Sequence, residues 1–348
     1  MSLCVIVELG SAYARVGYCG EAMPRRRLAS PFLEEGDDES NVSCIEVWLS
    51  EVVSDVLLVA KASQVSIVIV ENETASRGVR EALVSALAAL GPKKVAFCPA
   101  LVAAAGATAR ETVLLLNVGK KESRAMAVVQ GFALAESFVV SNLGSASVEH
   151  VCAIDRCYAR RRRSDGNTDG DDRGSAAEAL FDGGEPIDGD EGGGLARLVV
   201  RCLAKCPVDA RKHLARAIAP LGGGSLIPGF DLRLLDDLRH LDNTTTFALE
   251  HFAFSRPDVP WVGASLLVDA SLKANRFYGL DPNNLDLPDF FAVGLKDKYL
   301  QGFGITFAAP ATKRPPGERR GGAGRHKAGR LRGNKAPPLL GGGRYLFV

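Results

Sequence analysis

The chain has 348 residues, room for two domains of ordinary size or one large two-lobed unit. Its 47% hydrophobic and 24% charged residues are those of a globular protein, and a net charge of +1 sets up no global field to gather nucleic acid or an anionic membrane. No apolar run reaches the roughly 18 residues that a membrane-spanning helix needs.

The opening MSLCVIVELG has no basic region, and its short apolar run stops at Glu8, so a secretory signal is not expected. CVIVEL predicts a buried strand, and YARVGYCG its hairpin partner. Pro31 to Ser43 reads as a short acidic loop. VSIVIV, from Val65 to Val70, is apolar throughout, as in a strand covered on both faces. SRGVREALVSALAAL places Val79, Leu83, Ala86, Leu87 and Leu90 at helical spacing. KVAFCPALVAAAGAT predicts a short strand and then an Ala-rich helix. TVLLLN predicts another buried strand, with RAMAVVQG returning beside it. Tyr158 to Gly194 is rich in Gly and Asp behind a four-Arg run, and too poor in apolar residues to order itself fully, apart from AEALF.

LARLVVRCLAKC predicts a helix, and Pro207 opens a second one with Asp209 near its positive end. LGGGSLIPGF, from Leu221 to Phe230, reads as strand, Gly-rich turn and helix, with Pro228 in the first helical turn. Its bare backbone suits a plain tight turn or the close approach of a flat ligand. FDLRLLDDLRHL continues as a helix. Lys313 to Lys335 holds nine Lys or Arg and one acid among Gly and Pro, and predicts disorder. The alternation of strands and helices argues for an α/β fold with interrupted sheets.

Eight cysteines (Cys4, Cys19, Cys44, Cys98, Cys152, Cys157, Cys202 and Cys206) are scattered along the chain, which suggests reduced thiols in cytosol or nucleus. Cys202 with Cys206, and Cys152 with Cys157 near His150, fit a metal site or small buried residues. The helical spacing and the lack of a two-residue knuckle favour burial. There is no Gly-x-x-x-x-Gly-Lys-Ser/Thr loop, Gly-x-Ser-x-Gly elbow or His-Glu-x-x-His.

VIVELGSAYARVGYCG and LLLNVGKKESRAMAVVQG share one plan: an apolar strand, a polar residue, a glycine two positions on, and a second strand ending in Gly. The polar residues are Glu8 and Asn117, and the glycines Gly10 and Gly119. A pair of such hairpins can clamp a phosphate chain between backbone N–H groups. With LGGGSLIPGF, these residues carry a resemblance to the actin family. The two hairpins resemble its phosphate hairpins, LGGGSLIPGF its adenosine motif, and WVGASLL (Trp261 to Leu267) its Trp-x-Gly-Gly-Ser helix. The densest stretch is LARLVVRCLAKCPVDARKHLARAIAPLGGGSLIPGFDLRLLDDLRHL, whose CPVDARK is similar to the divergent actin-related proteins at the pointed end of dynactin. Residues 31–60, 137–197 and 268–348 add almost nothing.

The resemblance implies an actin-like, duplicated ribonuclease-H-like α/β fold with two lobes. Residues 1–107 plus about 259–305 would form the first, with 31–60 as a reduced upper subdomain. Residues 108–258 would form the second, with 137–197 reduced, and 306–348 would be a basic tail. It implies ATP or ADP held weakly by Gly10, Ser11, Arg15, Gly119, Lys120, Gly222, Gly223, Gly224 and Ser225, with Glu8 reaching Mg²⁺ through water.

The departures from the family argue against hydrolysis. Glu8 and Asn117 stand where hydrolysing members carry two Asp, and Lys120 replaces a further acid. Ala100 falls where a Gln would orient the attacking water, and a methyl group cannot do so. The Lys-Glu pair expected near VCAIDRC (Val151 to Cys157) is absent. Arg15 replaces a phosphate-binding Lys, Ala12 replaces a glycine, and Pro220 removes a strand donor.

The expected role is a non-catalytic, cytoplasmic and cytoskeletal subunit that caps the pointed end of dynactin's actin-like filament for dynein-driven transport along microtubules. Its partners would be the filament subunits and other pointed-end subunits, with no self-polymer, membrane span or nucleic acid. A nuclear actin-related subunit of a chromatin-remodelling complex is the alternative. An active, polymerising ATPase is a third reading, opposed by Asn117, Lys120 and Ala100.

Overall fold

A computed structural model describes residues 3–31, 38–75, 77–147, 178, 180, 181 and 194–273. The first sheet grows from β1 (Leu3–Leu9), which is apolar from Cys4 to Val7 because both its faces are covered. It pairs antiparallel with β2 (Tyr13–Tyr18) and parallel with β4 (Val65–Glu71). The outer strands are β3 (Arg26–Ala29) and β5 (Lys94–Pro99), giving the order β3-β2-β1-β4-β5. The second sheet joins β6 (Val113–Val118), β7 (Ser123–Val129), β8 (Phe132–Ser141) and β9 (Ile218–Leu221) in the order β8-β7-β6-β9. In each sheet an antiparallel hairpin is followed by a parallel strand beside its first member.

Side-chain alternation then assigns the helices. Val5, Val7, Ile67 and Ile69 share a core with Ile45 and Leu49 of α1 (Asp38–Glu51) and Leu83 and Leu87 of α2 (Arg77–Leu90). On the opposite face Cys4, Ile6, Val68 and Val70 meet Trp261, Val262 and Val268, which belong to the helix Val259–Lys273. The buried indole Nε1 of Trp261 donates to the Ile6 carbonyl at 3.1 Å, so its one polar atom is satisfied.

α3 (Ala100–Ala105) lies between the sheets. Its Leu101, Val102 and Ala104 share a core with Val113, Leu115 and Met126 of the second sheet. The second sheet's other face, with Leu114, Leu116 and Val118, packs on α4 (Leu195–Ala204), α5 (Val208–Ala215) and α6 (Phe230–Leu241). The helix Val259–Lys273 is therefore α7. Gly263 lets it touch α3, because a Cβ there would run into the Ala103 carbonyl.

Two local readings change. The loop expected over Pro31 to Ser43 gives way to helix at Asp38. Buried Ile45, Leu49, Val52 and Val53 follow at helical spacing and supply the packing that the acidic start conceals. Pro228 does not sit in the first turn of a helix. It lies in a turn closed by the Phe230 N–H on the Ile227 carbonyl at 3.0 Å, and left-handed Gly229 (φ 81°) delays α6 to Phe230. Pro207 stands where it was expected, at the entry to α5, in the position just before its first residue Val208.

Pro220 costs the second sheet no ladder bond. Ile218 and Gly222, of the same parity, aim their N–H groups away from β6, at the carbonyls of Ala248 and Arg256. The Pro220 nitrogen faces that outer edge too, where its missing hydrogen is harmless to the β6–β9 pairing.

Within AEALF, Leu180 and Phe181 are buried, and Phe181 packs at a tilt against Phe230 with ring centroids 5.7 Å apart. The rest of Tyr158 to Gly193, VCAIDRC, Cys152, Cys157, His150 and the segment 274–348 lie outside the described residues. Among the described residues, no helix is long and apolar enough to cross a membrane.

Candidate functional site

Parallel strands open a crevice at their carboxyl ends, and ligands of open α/β sheets gather there. Here the ends of β1, β4, β6 and β9 carry Glu8, Asn72 and Glu73, Asn117, and Gly222; Gly222 abuts Asn117, and Arg124 of β7 reaches Asn72 and Glu73. Both hairpins close in one way. The Gly10 N–H donates to the Tyr13 carbonyl at 3.1 Å, and Gly119 N–H to the Glu122 carbonyl at 3.0 Å. A Cβ on either glycine would lie under 3.0 Å from that same carbonyl. These glycines therefore serve the bends themselves. Ser11 and Lys120 follow them, half-buried.

The glycine run turns onto β6. Gly222 sits at φ 86°, and a Cβ there would strike the Asn117 Oδ1 and the Val118 carbonyl. Gly224 packs on the Val118 side chain. Ser225 is buried and spends its hydroxyl on the Gly222 carbonyl at 2.8 Å. Of the three glycines only Gly223 has open space on its Cβ side. So Gly222 and Gly224 make room for the chain's own strand, and the tight-turn reading describes them.

The charges are committed to one another. Glu8 and Arg15 face each other across the first hairpin, with Nη1 3.1 Å from Oε1. The Arg15 Nε donates to Asp258 at 2.6 Å, and Arg27 reaches the same carboxylate at 3.0 Å. A phosphate at Arg15 would have to compete with two carboxylates. The second oxygen of Glu8 is buried with no hydrogen-bond partner. Burial is the main cause that pushes its carboxyl up to about 7; Arg15 opposes it and Asp258 adds to it.

Asn117 faces Arg124 in the second hairpin as Glu8 faces Arg15 in the first. An amide gives that arginine no charge to hold, and Arg124 reaches instead to Glu73 and to the Asn72 Oδ1 at 2.9 Å. Its Nε lies 3.4 Å from Glu122, and Thr74 also bonds Glu122. Glu73 accepts the Leu101 N–H at 2.6 Å, which ties it to α3. Arg124 and Glu73 were not among the residues expected from sequence. The one signal for Arg124 was the hairpin echo, since both arginines stand seven positions after the first strand's polar residue.

This donor set does not fit a hydrolytic Mg²⁺ site. A hard cation needs several oxygen ligands free of other charges, whereas Glu8, Glu73 and Asp258 each hold an arginine, and the partnerless second oxygen of Glu8 is a single ligand. Asn117 is neutral, and Ala100, the first residue of α3, offers no polar side-chain atom near the strand ends. Among the described residues no three His, Cys, Asp or Glu side chains could hold a metal. Cys202 and Cys206 are buried thiols, with the Cys206 Sγ donating to the Cys202 carbonyl at 3.2 Å. The six described cysteines are all unpaired.

Against known proteins, the model of the actin family matches residues 165–275. Actin-related protein 4 of Yarrowia lipolytica is 42% identical over 76 residues, which cover 20% of this chain and 18% of that relative. The chain thus spans less than a fifth of the relative's length in this match. The family match holds α4 to α7, β9 and the glycine run, and leaves both hairpins outside it.

Proposed function

We propose that this chain, whose residues 165–275 match the model of the actin family, belongs to that family and works as a structural subunit and not as an ATPase. The observation that carries this reading is the pairing of Arg15 with both Glu8 and Asp258, beside a neutral Asn117. The group best suited to a phosphate is engaged, and the carboxylates best suited to Mg²⁺ are neutralised. Backbone N–H groups near Gly10, Gly119 and Gly223 leave room for weak binding of ATP or ADP, but nothing at Ala100 would orient a water. In this reading the two sheets are the cores of two actin-like lobes.

The finer assignment is the pointed end of dynactin's actin-like filament, in the cytoplasm, in support of dynein-driven transport. It rests on the CPVDARK window at α5 and on the scant likeness to the family over 31–60 and 137–164; the stretch 165–197, expected to add almost nothing, lies inside the family match. Head-to-tail assemblies stop where one face is missing. Pull-down with mass spectrometry tests it: dynein and dynactin subunits are expected. The similarity to Actin-related protein 4 favours a second reading, a nuclear actin-related subunit of a chromatin-remodelling complex, and recovery of remodeller subunits would select it. The lone protein, spun with ATP and Mg²⁺, is expected to stay in the supernatant, and pelletable filaments would revive the polymerising ATPase.

A further inference from the structure

We propose that Arg124 and Glu73 form an internal clamp that holds the two sheets together across the crevice, in place of a bound ligand. The two residues come from opposite sides. Glu73 follows β4 of the first sheet, and Arg124 lies on β7 of the second, 51 positions later. Their side chains are only 2% and 4% exposed, so water screens the attraction little. The guanidinium fork takes the Glu73 carboxylate with one nitrogen and the Asn72 amide oxygen with another, both on the loop after β4. A second tie lies alongside, from Thr74 to Glu122. The Leu101 N–H on Glu73 fixes the carboxylate to α3, the helix between the sheets.

The geometry separates the two arginines of the crevice by task. Arg15 bonds within the first sheet's own surroundings, to β1 and to the residue before α7. Arg124 bonds away from its own hairpin partner Asn117 and across the gap. A ligand clamp tightens with ligand concentration by mass action. A pair of side chains tightens nothing further when nucleotide is added.

The test is amide hydrogen exchange on the full chain, with and without millimolar ATP and Mg²⁺, read over residues 72–75 and 119–124. In the wild type both segments are expected to be protected without nucleotide and to change less than twofold on adding it. Arg124→Met strands a buried carboxylate. It should speed exchange about tenfold or more in both segments and lower Tm by about 5–10 °C. Glu73→Gln keeps the acceptor for Leu101 and removes only the charge, and should speed the same two segments if Arg124→Met does not fold. The exchanged pair Glu73→Arg with Arg124→Glu should recover part of the protection. Slower exchange of wild-type segments with ATP would overturn the clamp, as would acceleration confined to the mutated hairpin. Phosphate release measured on the same samples bears on the non-hydrolytic reading alone, so the two ideas can fail separately.

Discussion

The two hairpins at the crevice are built alike and end differently. Each sets a polar residue opposite an arginine, and each closes on a glycine whose N–H meets a carbonyl three positions on. In the first the polar residue is Glu8, and Arg15 stays with it. In the second it is Asn117, and Arg124 finds its carboxylate on the other sheet. Arg15 holds Glu8 in its own hairpin and Asp258 beyond it, whereas Arg124 has Glu122 beside it in its own hairpin and reaches Glu73 after β4. A buried guanidinium cannot lose its proton, so it must find a carboxylate within reach.

Four substitutions probe that contrast, from the largest effect down. Gly222→Val should cost about 4 kcal/mol or more, because it combines a left-handed backbone with a collision against Asn117 and the Val118 carbonyl. Urea unfolding would measure it, and a loss under about 1 kcal/mol would mean that β6 yields easily.

Arg15→Met should cost about 3 kcal/mol, as a broken, largely buried pair does. Asp258 keeps Arg27, which limits the loss. If Arg15→Met were as mild as a surface change, the first hairpin would not depend on its pair.

Glu8→Gln should remove a pH slope. The folded carboxyl titrates near 7 against an ordinary value of 4.5, so the folded chain holds this proton more tightly than the unfolded one. Its contribution is complete below about 4.5 and falls away as pH rises to about 7, by roughly 3 kcal/mol. Unfolding free energies at intervals from pH 4.5 to 8 should show that decline in the wild type and a flatter line in the variant.

Asn117→Asp is the smallest in stability, within about 1 kcal/mol, because it adds one cross-strand ion pair. It should draw Arg124 partly off Glu73, which proton–carbon NMR of the arginine side chains would report. Phosphate release should stay at the level of a buffer blank, since Ala100 is unchanged.

The apolar skeleton was legible in the sequence where burial is continuous. β1, β4 and β6 announce themselves as runs of Val, Ile and Leu, and α2 by its spacing, because those patterns are local. The glycine run was read rightly as strand, turn and helix, but its occupant was not legible. What fills the space above Gly222 is Asn117, 105 positions earlier. Arg15 was expected to face phosphate, whereas its shortest bond goes to Asp258, 243 positions away. Glu73 gave no sign at all, since a buried ion pair leaves no periodic trace. Helix α1 was not read from the sequence at all, because the acidic residues around Asp38 look like solvent and its apolar face begins only at Ile45.

Pro220 also lies on an edge outside the crevice. β9 is the outermost strand of its sheet, the position at which a stray strand from another molecule can dock. Its outward donors at Ile218 and Gly222 are already taken by Ala248 and Arg256, and the donor between them does not exist. An incoming strand would find no free N–H along that rim. The rim is closed by the chain itself, since β9 is buried throughout and the segment at Leu249 bridges Ile218 in parallel, so the missing N–H of Pro220 is one that no neighbouring strand asks for.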